Sequence, residues 1–149
     1  MLYAVGSLIE LFTPHTSLIV QSMENAGKIL VVEDNDFVRM QIVRYLQGDG
    51  HTITEASDGN QALELMEGNP IDLAIVDVRM EPVDGFGFIK TIRGMDMDTP
   101  VILVTGDSNP DLLEQARTWG VGAVLIKPVQ KERLLKAVEK TIQNYRKMI

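Results

Sequence analysis

The sequence contains no cysteine, which excludes a disulfide framework and any thiolate metal site. Histidine is almost as scarce. His15 and His51 are the only imidazoles, too few for a histidine-based zinc site and poor material for a histidine-dependent catalytic triad. Positive charge is in deficit, and the net charge of −7 disfavours a surface that grips nucleic-acid phosphates, so direct DNA binding is not expected. Long apolar runs are missing too. The nearest, Leu2 to Val20, is broken by Glu10, Pro14 and His15, falls short of a membrane span and lacks the basic leader of a secretory signal. Neither export nor membrane spanning is expected, and a cytoplasmic location follows as the expectation.

With 149 residues, of which 45% are hydrophobic and 23% charged, the chain has the length and balance of one ordinary soluble domain. Residues 1–26 differ from the rest. Their apolar patches (Leu8, Ile9, Leu11, Phe12, then Leu18, Ile19, Val20) show no sustained period. They read as an N-terminal extension, with Met23 as an alternative initiator; an added helix or strand packing on the domain or on a second copy is the rival reading. The domain itself is expected over residues 27–149.

From Lys28 the pattern becomes regular. Ile29–Val32 is a short buried strand ending at Glu33-Asp34; Asn35 or Asp36 can cap a helix carrying Val38, Ile42, Tyr45 and Leu46. Thr52–Ala56 is a more polar strand, as suits a sheet edge, and Asp58-Gly59 turns into a helix that Gly68-Asn69-Pro70 ends. The third strand lies in the apolar, β-branched run that closes at Asp77, before a Pro/Asp/Gly loop. A helix with Phe86, Ile89 and Ile92, a strand from Pro100 to Val104, a helix from Asn109-Pro110 to Trp119, a strand over Ala123–Ile126 and a last helix striped by Leu134, Leu135, Val138, Ile142 and Tyr145 complete the chain. The sequence ends about twenty residues beyond Lys127-Pro128, so an effector domain for DNA binding or catalysis is not expected. Strands alternating with helices force parallel pairing through right-handed crossovers. The expected fold is α/β: a doubly wound, five-stranded parallel sheet in three layers.

Parallel strands deliver their carboxyl ends to one edge, where open α/β sheets collect ligands. The residues delivered are Glu33-Asp34, Asp77, Thr105 and Lys127. Two carboxylates ~4 Å apart repel by about 4 kcal/mol at an effective dielectric near 20, so three stay ionised together only around a cation. An all-oxygen, thiol-free cluster suits Mg²⁺ or Mn²⁺. Lys127 is a point charge for a phosphoryl oxygen, Thr105 a hydrogen-bond donor to another, and Asp77 a nucleophile able to form an acyl phosphate. Taken singly, each has a plainer explanation: a loop cap, a helix cap, a solvated terminus. The set, in this order at successive strand ends, is the stronger signal.

These motifs resemble the receiver domain of two-component response regulators, the chemotaxis-response-regulator-like fold, across about Lys28 to Lys147. They are Glu33-Asp34, Asp77 with Asp84-Gly85 after it, Thr105-Gly106 and Lys127-Pro128. The resemblance implies that Asp77 accepts a phosphoryl group from a sensor histidine kinase or phosphotransfer protein. It implies that Glu33, Asp34, Asp77 and the backbone carbonyl of Arg79 hold Mg²⁺. Thr105 and Lys127 would bind phosphoryl oxygens and couple phosphorylation to the fourth helix and fifth strand. The protein would then be a phosphorylatable signalling switch rather than an enzyme, with output by contact with a downstream protein and, as one form of it, a homodimer through the face of helix 4, strand 5 and helix 5.

The chain departs from the family pattern at three points. Glu81 stands where the family usually has proline, with Pro82 following; Val124 replaces the usual switch aromatic; and Arg79 and Asp107 form an oppositely charged couple near the mouth of the site. Trp119, the sole tryptophan, either packs the junction of helix 4 and strand 5 or anchors a partner. Rival functions are a receiver that binds partners without phosphorylation, an Asp-nucleophile phosphatase and a flavin carrier. The phosphatase would need a D-x-D pair after the first strand, and the flavin carrier a Ser/Thr/Gly phosphate loop there; the chain has Glu33-Asp34.

Overall fold

Five short strands, each buried or half-buried, alternate with five helices in a computed structural model that describes residues 26–149. In chain order they are β1 (Lys28–Val32), α1 (Asp36–Gly48), β2 (Thr52–Ala56), α2 (Gly59–Gly68), β3 (Leu73–Asp77), α3 (Gly85–Gly94), β4 (Val101–Thr105), α4 (Pro110–Thr118), β5 (Ala123–Ile126) and α5 (Lys131–Met148). The extension expected over residues 1–26 lies, up to Asn25, outside the described residues.

All four strand pairings are parallel and the order is β2-β1-β3-β4-β5, which is the doubly wound sheet expected from the alternation. Because side chains alternate across a strand, consecutive residues feed opposite cores. Ile29, Val31, Leu73, Ile75, Ile102 and Val104 pack on one face under α1 and α5 (Ile42, Leu46, Leu134, Val138, Ile142). Leu30, Val32, Ala74, Val76, Val101 and Leu103 pack on the other under α2, α3 and α4 (Ala62, Met66, Phe88, Ile89, Ile92, Leu112). Each fully buried Leu, Ile or Phe contributes about 1.5–3 kcal/mol relative to exposure. β3 and β4 are buried along their whole length, whereas β2 and β5 at the edges are mostly half-exposed.

Helix starts follow local chemistry. Asn35, Asp58, Asp84 and Asn109 each accept a hydrogen bond from the backbone N–H three residues on, at 3.0, 2.8, 2.7 and 2.9 Å. These bonds satisfy donors that the first turn leaves orphaned. Asn35, rather than Asp36, caps α1. Pro100 precedes β4 rather than opening it, and Trp119 caps the end of α4.

The strand order reverses direction between β1 and β3, so a crevice opens beyond their carboxyl ends. Glu33-Asp34 leaves β1 into that crevice and Asp77 ends β3 beside it. Among the described residues, no helix is long and apolar enough to cross a membrane.

Candidate functional site

Asp77 is carried to the switch point by a strand buried along its whole length, and its side chain is 5% exposed. Glu33, one residue past β1, is 1% exposed. Its backbone continues the β1–β2 ladder, donating to the Ala56 carbonyl at 3.1 Å. Asp34 is exposed at the rim. One carboxylate oxygen of each of these three acids lies within 4.8 Å of the others.

Lys127 completes the cluster. Its Nζ lies 3.3 Å from Asp77 Oδ1 and 3.2–3.3 Å from both oxygens of Glu33. Only Glu33 Oε1 receives a hydrogen bond from it, and the backbone N–H of Asn35 donates to that same oxygen at 3.2 Å. Oε2 is fully buried and accepts none. A buried carboxylate oxygen without a donor is costly. Burial first, and repulsion from Asp77 second, push the Glu33 carboxyl up to about 7 against the opposing pull of Lys127. Burial alone would lower the Lys127 ammonium, but Glu33 and Asp77 raise it above its ordinary value. One ammonium therefore cannot neutralise the site. The residues present fit a hard divalent cation: the ligands are all oxygen, they converge, and one buried oxygen has no other donor.

The loop after β3 is fixed by Gly85. A Cβ there would lie 2.5 Å from the Asp77 carbonyl oxygen and 3.0 Å from Val78 Cα, so only glycine lets α3 begin this close to the strand end. Gly85 N–H donates to the Val78 carbonyl at 2.9 Å, and Met80, 4% exposed, anchors the loop in the core. Pro82 follows Glu81 through a cis peptide bond, as Pro128 follows Lys127. Asp34, Val78, Arg79, Met80, Glu81 and Asp84 line a cavity of about 450 Å³ at the mouth of the crevice.

The structure brings Glu33, Asp34, Asp77 and Lys127 together as the strand ends require, with Arg79 beside them. The Thr105 hydroxyl is engaged elsewhere. Thr105 ends β4 and is 2% exposed, but its hydroxyl donates to the Asp107 carbonyl at 2.5 Å and accepts from the Asp107 N–H at 3.1 Å. The expected coupling of Arg79 with Asp107 does not form: among the described residues the ion pairs join other side chains. Asp107 is drawn into the turn with Thr105, and Arg79 points to solvent as an exposed residue. Trp119 is half-buried against the α2–α3–α4 core, with Lys90 Nζ 5.9 Å from the centre of its ring, so it packs the junction while keeping an exposed edge.

One contributor has no strong signature in the sequence. Arg39, four residues past the cap of α1, donates from Nη1 to the Glu33 carbonyl at 2.7 Å. A lone arginine in a helix reads as a solvated side chain unless the end of the neighbouring strand is known.

Fold and crevice together define a doubly wound α/β domain with an acidic, oxygen-only cluster at its switch point. The chain belongs to the response regulator receiver domain family, whose model matches residues 29–139. It is 31% identical over 118 residues to chemotaxis protein CheY of Bacillus subtilis, covering 78% of this chain and 98% of that protein. It is 34% identical over 122 residues to the transcriptional regulatory protein PdtaR of Mycobacterium tuberculosis; that match covers 81% of this chain but 59% of the relative's length. Among solved structures, chemotaxis protein CheY4 of Vibrio cholerae superposes with a TM-score of 0.74 at 30% identity, covering 78% of this chain and 98% of that one. The family is one of signalling proteins rather than enzymes in the usual sense.

Proposed function

We propose that the protein is a single-domain response regulator that accepts a phosphoryl group on Asp77 from a sensor histidine kinase or a phosphotransfer protein. The observation that carries this reading is the convergence of Glu33, Asp34 and Asp77 within 4.8 Å, with Lys127 bridging Glu33 and Asp77. The near-complete coverage of a one-domain relative, 98% of its length, supports the single-domain form.

In the transfer, an Asp77 carboxylate oxygen attacks phosphorus, the O–P bond forms as the donor's N–P bond breaks, and the donor imidazole keeps the electron pair. Glu33, Asp34, Asp77 and the backbone carbonyl of Arg79 would hold Mg²⁺ or Mn²⁺, which would supply neutralising charge for the phosphoryl oxygens. Lys127 exchanges part of its pairing with Glu33 and Asp77 for a phosphoryl oxygen. Thr105 Oγ1 exchanges the Asp107 carbonyl for another, which releases the turn leading into α4. The same groups assist loss of the phosphoryl group to water.

Phosphorylation adds about −1.5 to −2 of charge. Shifting a switch from mostly off to mostly on takes about 5.5 kcal/mol of differential stabilisation. The signal leaves by protein contact through α4, β5 and α5, to a downstream protein or, as a homodimer, to a second copy. Ile126, 53% exposed on edge strand β5, supports that face, and the half-exposed, small Val124 replaces an aromatic switch there. The protein works in the cytoplasm, without direct DNA or membrane binding.

Acetyl phosphate with Mg²⁺ adds one phosphoryl group to the wild-type protein, read by intact-mass spectrometry, and none to Asp77→Asn. Equal labelling of the variant overturns the reading. Absence of labelling in both forms favours a receiver that binds partners without phosphorylation.

A further inference from the structure

We infer that Arg39 is a positioning residue for the cation site, acting through the peptide that joins Glu33 to Asp34. The inference rests on the reading of Glu33, Asp34 and Asp77 as the cation ligands.

β2 ends at Ala56, whose carbonyl accepts the Glu33 N–H. Beyond that point the β1–β2 ladder has no further strand residue, and the Glu33 carbonyl would be left without a partner from β2. Arg39 supplies it. Nη1 donates to that carbonyl at 2.7 Å, Nη2 to Asp36 Oδ1 at 2.6 Å and Nε to Glu55 Oε1 at 3.2 Å. One guanidinium thus clamps the acidic loop between the start of α1 and the edge strand. Its own side chain is 17% exposed, whereas those of Asp36 and Glu55 are 79% and 51% exposed. Pairs so exposed contribute little to stability. The contact with consequence is the one to the backbone.

The peptide group is planar and rigid, so the Glu33 carbonyl and the Asp34 N–H move as one plane. Tilting that plane displaces the attachment points of two cation ligands at once. Asn35 N–H holds the Glu33 carboxylate itself. Carbonyl and carboxylate of Glu33 are therefore each held by a donor of the protein, before any ion binds. Partners of this kind, one bond removed from the ligands, typically change metal affinity by about 10–100-fold when lost.

The sign of the effect separates positioning from simple charge. Removing the guanidinium makes the surroundings more negative, so an influence through charge alone tightens cation binding. Loss of positioning weakens it.

The test is titration of the full chain with Mn²⁺, followed by the EPR signal of the free ion, alongside thermal unfolding in EDTA. Arg39→Gln is expected to raise the Kd for Mn²⁺ about 10-fold. Asp36→Asn and Glu55→Gln, which spare the Glu33 carbonyl contact, leave it within about twofold. A Kd that falls in Arg39→Gln, or one that stays constant while the melting temperature drops, overturns the inference. Should Arg39→Gln not fold, Arg39→Lys decides. Its single ammonium keeps the charge but cannot span three acceptors, so it weakens binding several-fold, and an unchanged Kd overturns the inference. A wild-type protein that does not bind Mn²⁺ overturns the proposed function and this inference with it. Binding in the wild type that is matched by Arg39→Gln overturns this inference alone.

Discussion

At the amino-terminal edge of the sheet, polar groups are tied off. Arg93 donates to the carbonyls of Met97, Thr99 and Trp119 at 2.9, 2.8 and 3.3 Å, and Asp72 accepts from the Lys28 N–H at 2.8 Å. Tyr145 donates to Asp98 at 2.8 Å, and His51 Nδ1 accepts from the Gly27 N–H at 3.0 Å. At the carboxyl edge, 1%-exposed Glu33 keeps an oxygen without a donor beside Asp77, and one lysine serves both acids. The same sheet supports both edges. One is arranged for stability, and the other holds charge at a cost that the proposed cation and phosphoryl group would relieve. Such a cost is expected where function rather than folding sets the residues.

The comparison can be broken most severely at Gly85. Gly85→Ala drives a methyl group toward the Asp77 carbonyl, 2.5 Å away; a loss of roughly 3 kcal/mol is expected in chemical denaturation, with displacement of the β3–α3 loop and loss of phosphoryl uptake.

Smaller substitutions should move the two edges in opposite directions. Glu33→Gln, measured in EDTA near pH 8, removes a buried charge from beside Asp77 and is expected to stabilise the fold by about 2 kcal/mol, while weakening Mg²⁺ binding. Arg93→Ala leaves three carbonyls without their donor and should destabilise by roughly 1–2 kcal/mol, with phosphoryl uptake unchanged. If both variants destabilise equally, the carboxyl edge holds no excess charge.

The edges should also respond to pH with opposite signs. The Glu33 carboxyl is pushed up to about 7 from an ordinary 4.5. Between those values the unfolded chain gives up a proton that the folded one keeps. The contribution from this group is therefore fully present below about pH 4.5 and is lost as pH rises through 7. His51 is the reverse case. Burial lowers its pKa from 6.5 against the opposing pull of Asp49, so its contribution is present above 6.5 and is lost as pH falls through the folded value. Unfolding in EDTA across pH 4.5–8 should show the first slope flattened in Glu33→Gln. An unaltered slope would remove Glu33 as its source.

The smallest effect belongs to Tyr145→Phe. Its hydrogen bond to Asp98 is solvent-exposed, and its removal should cost less than about 1 kcal/mol without altering Mg²⁺ affinity.

The five strands were legible because short β-branched runs between Gly, Pro, Asn and Asp punctuation have one economical arrangement. The convergence of Glu33, Asp34, Asp77 and Lys127 followed from parallel strands alone. Contacts that cross the sheet edge were not legible. Arg93 donates to three backbone carbonyls and Arg39 to that of Glu33, and a carbonyl carries no mark in a sequence. His51 reads as a lone imidazole until the chain entering β1 is seen to donate to it. Charge complementarity misled in one place: Arg79 and Asp107 are suitably signed and spaced, but among the described residues no ion pair joins them.

The central claim, that the cost held at the carboxyl edge serves phosphoryl acceptance by Asp77, is tested most directly by locating the acyl phosphate. The wild-type protein is labelled with acetyl phosphate and Mg²⁺, reduced with borohydride and mapped by peptide mass spectrometry, since reduction converts an aspartyl phosphate to homoserine. Homoserine at position 77 alone, absent when Mg²⁺ is chelated, is the predicted result. Homoserine at Asp34 or Asp84 with Asp77 intact would contradict the account.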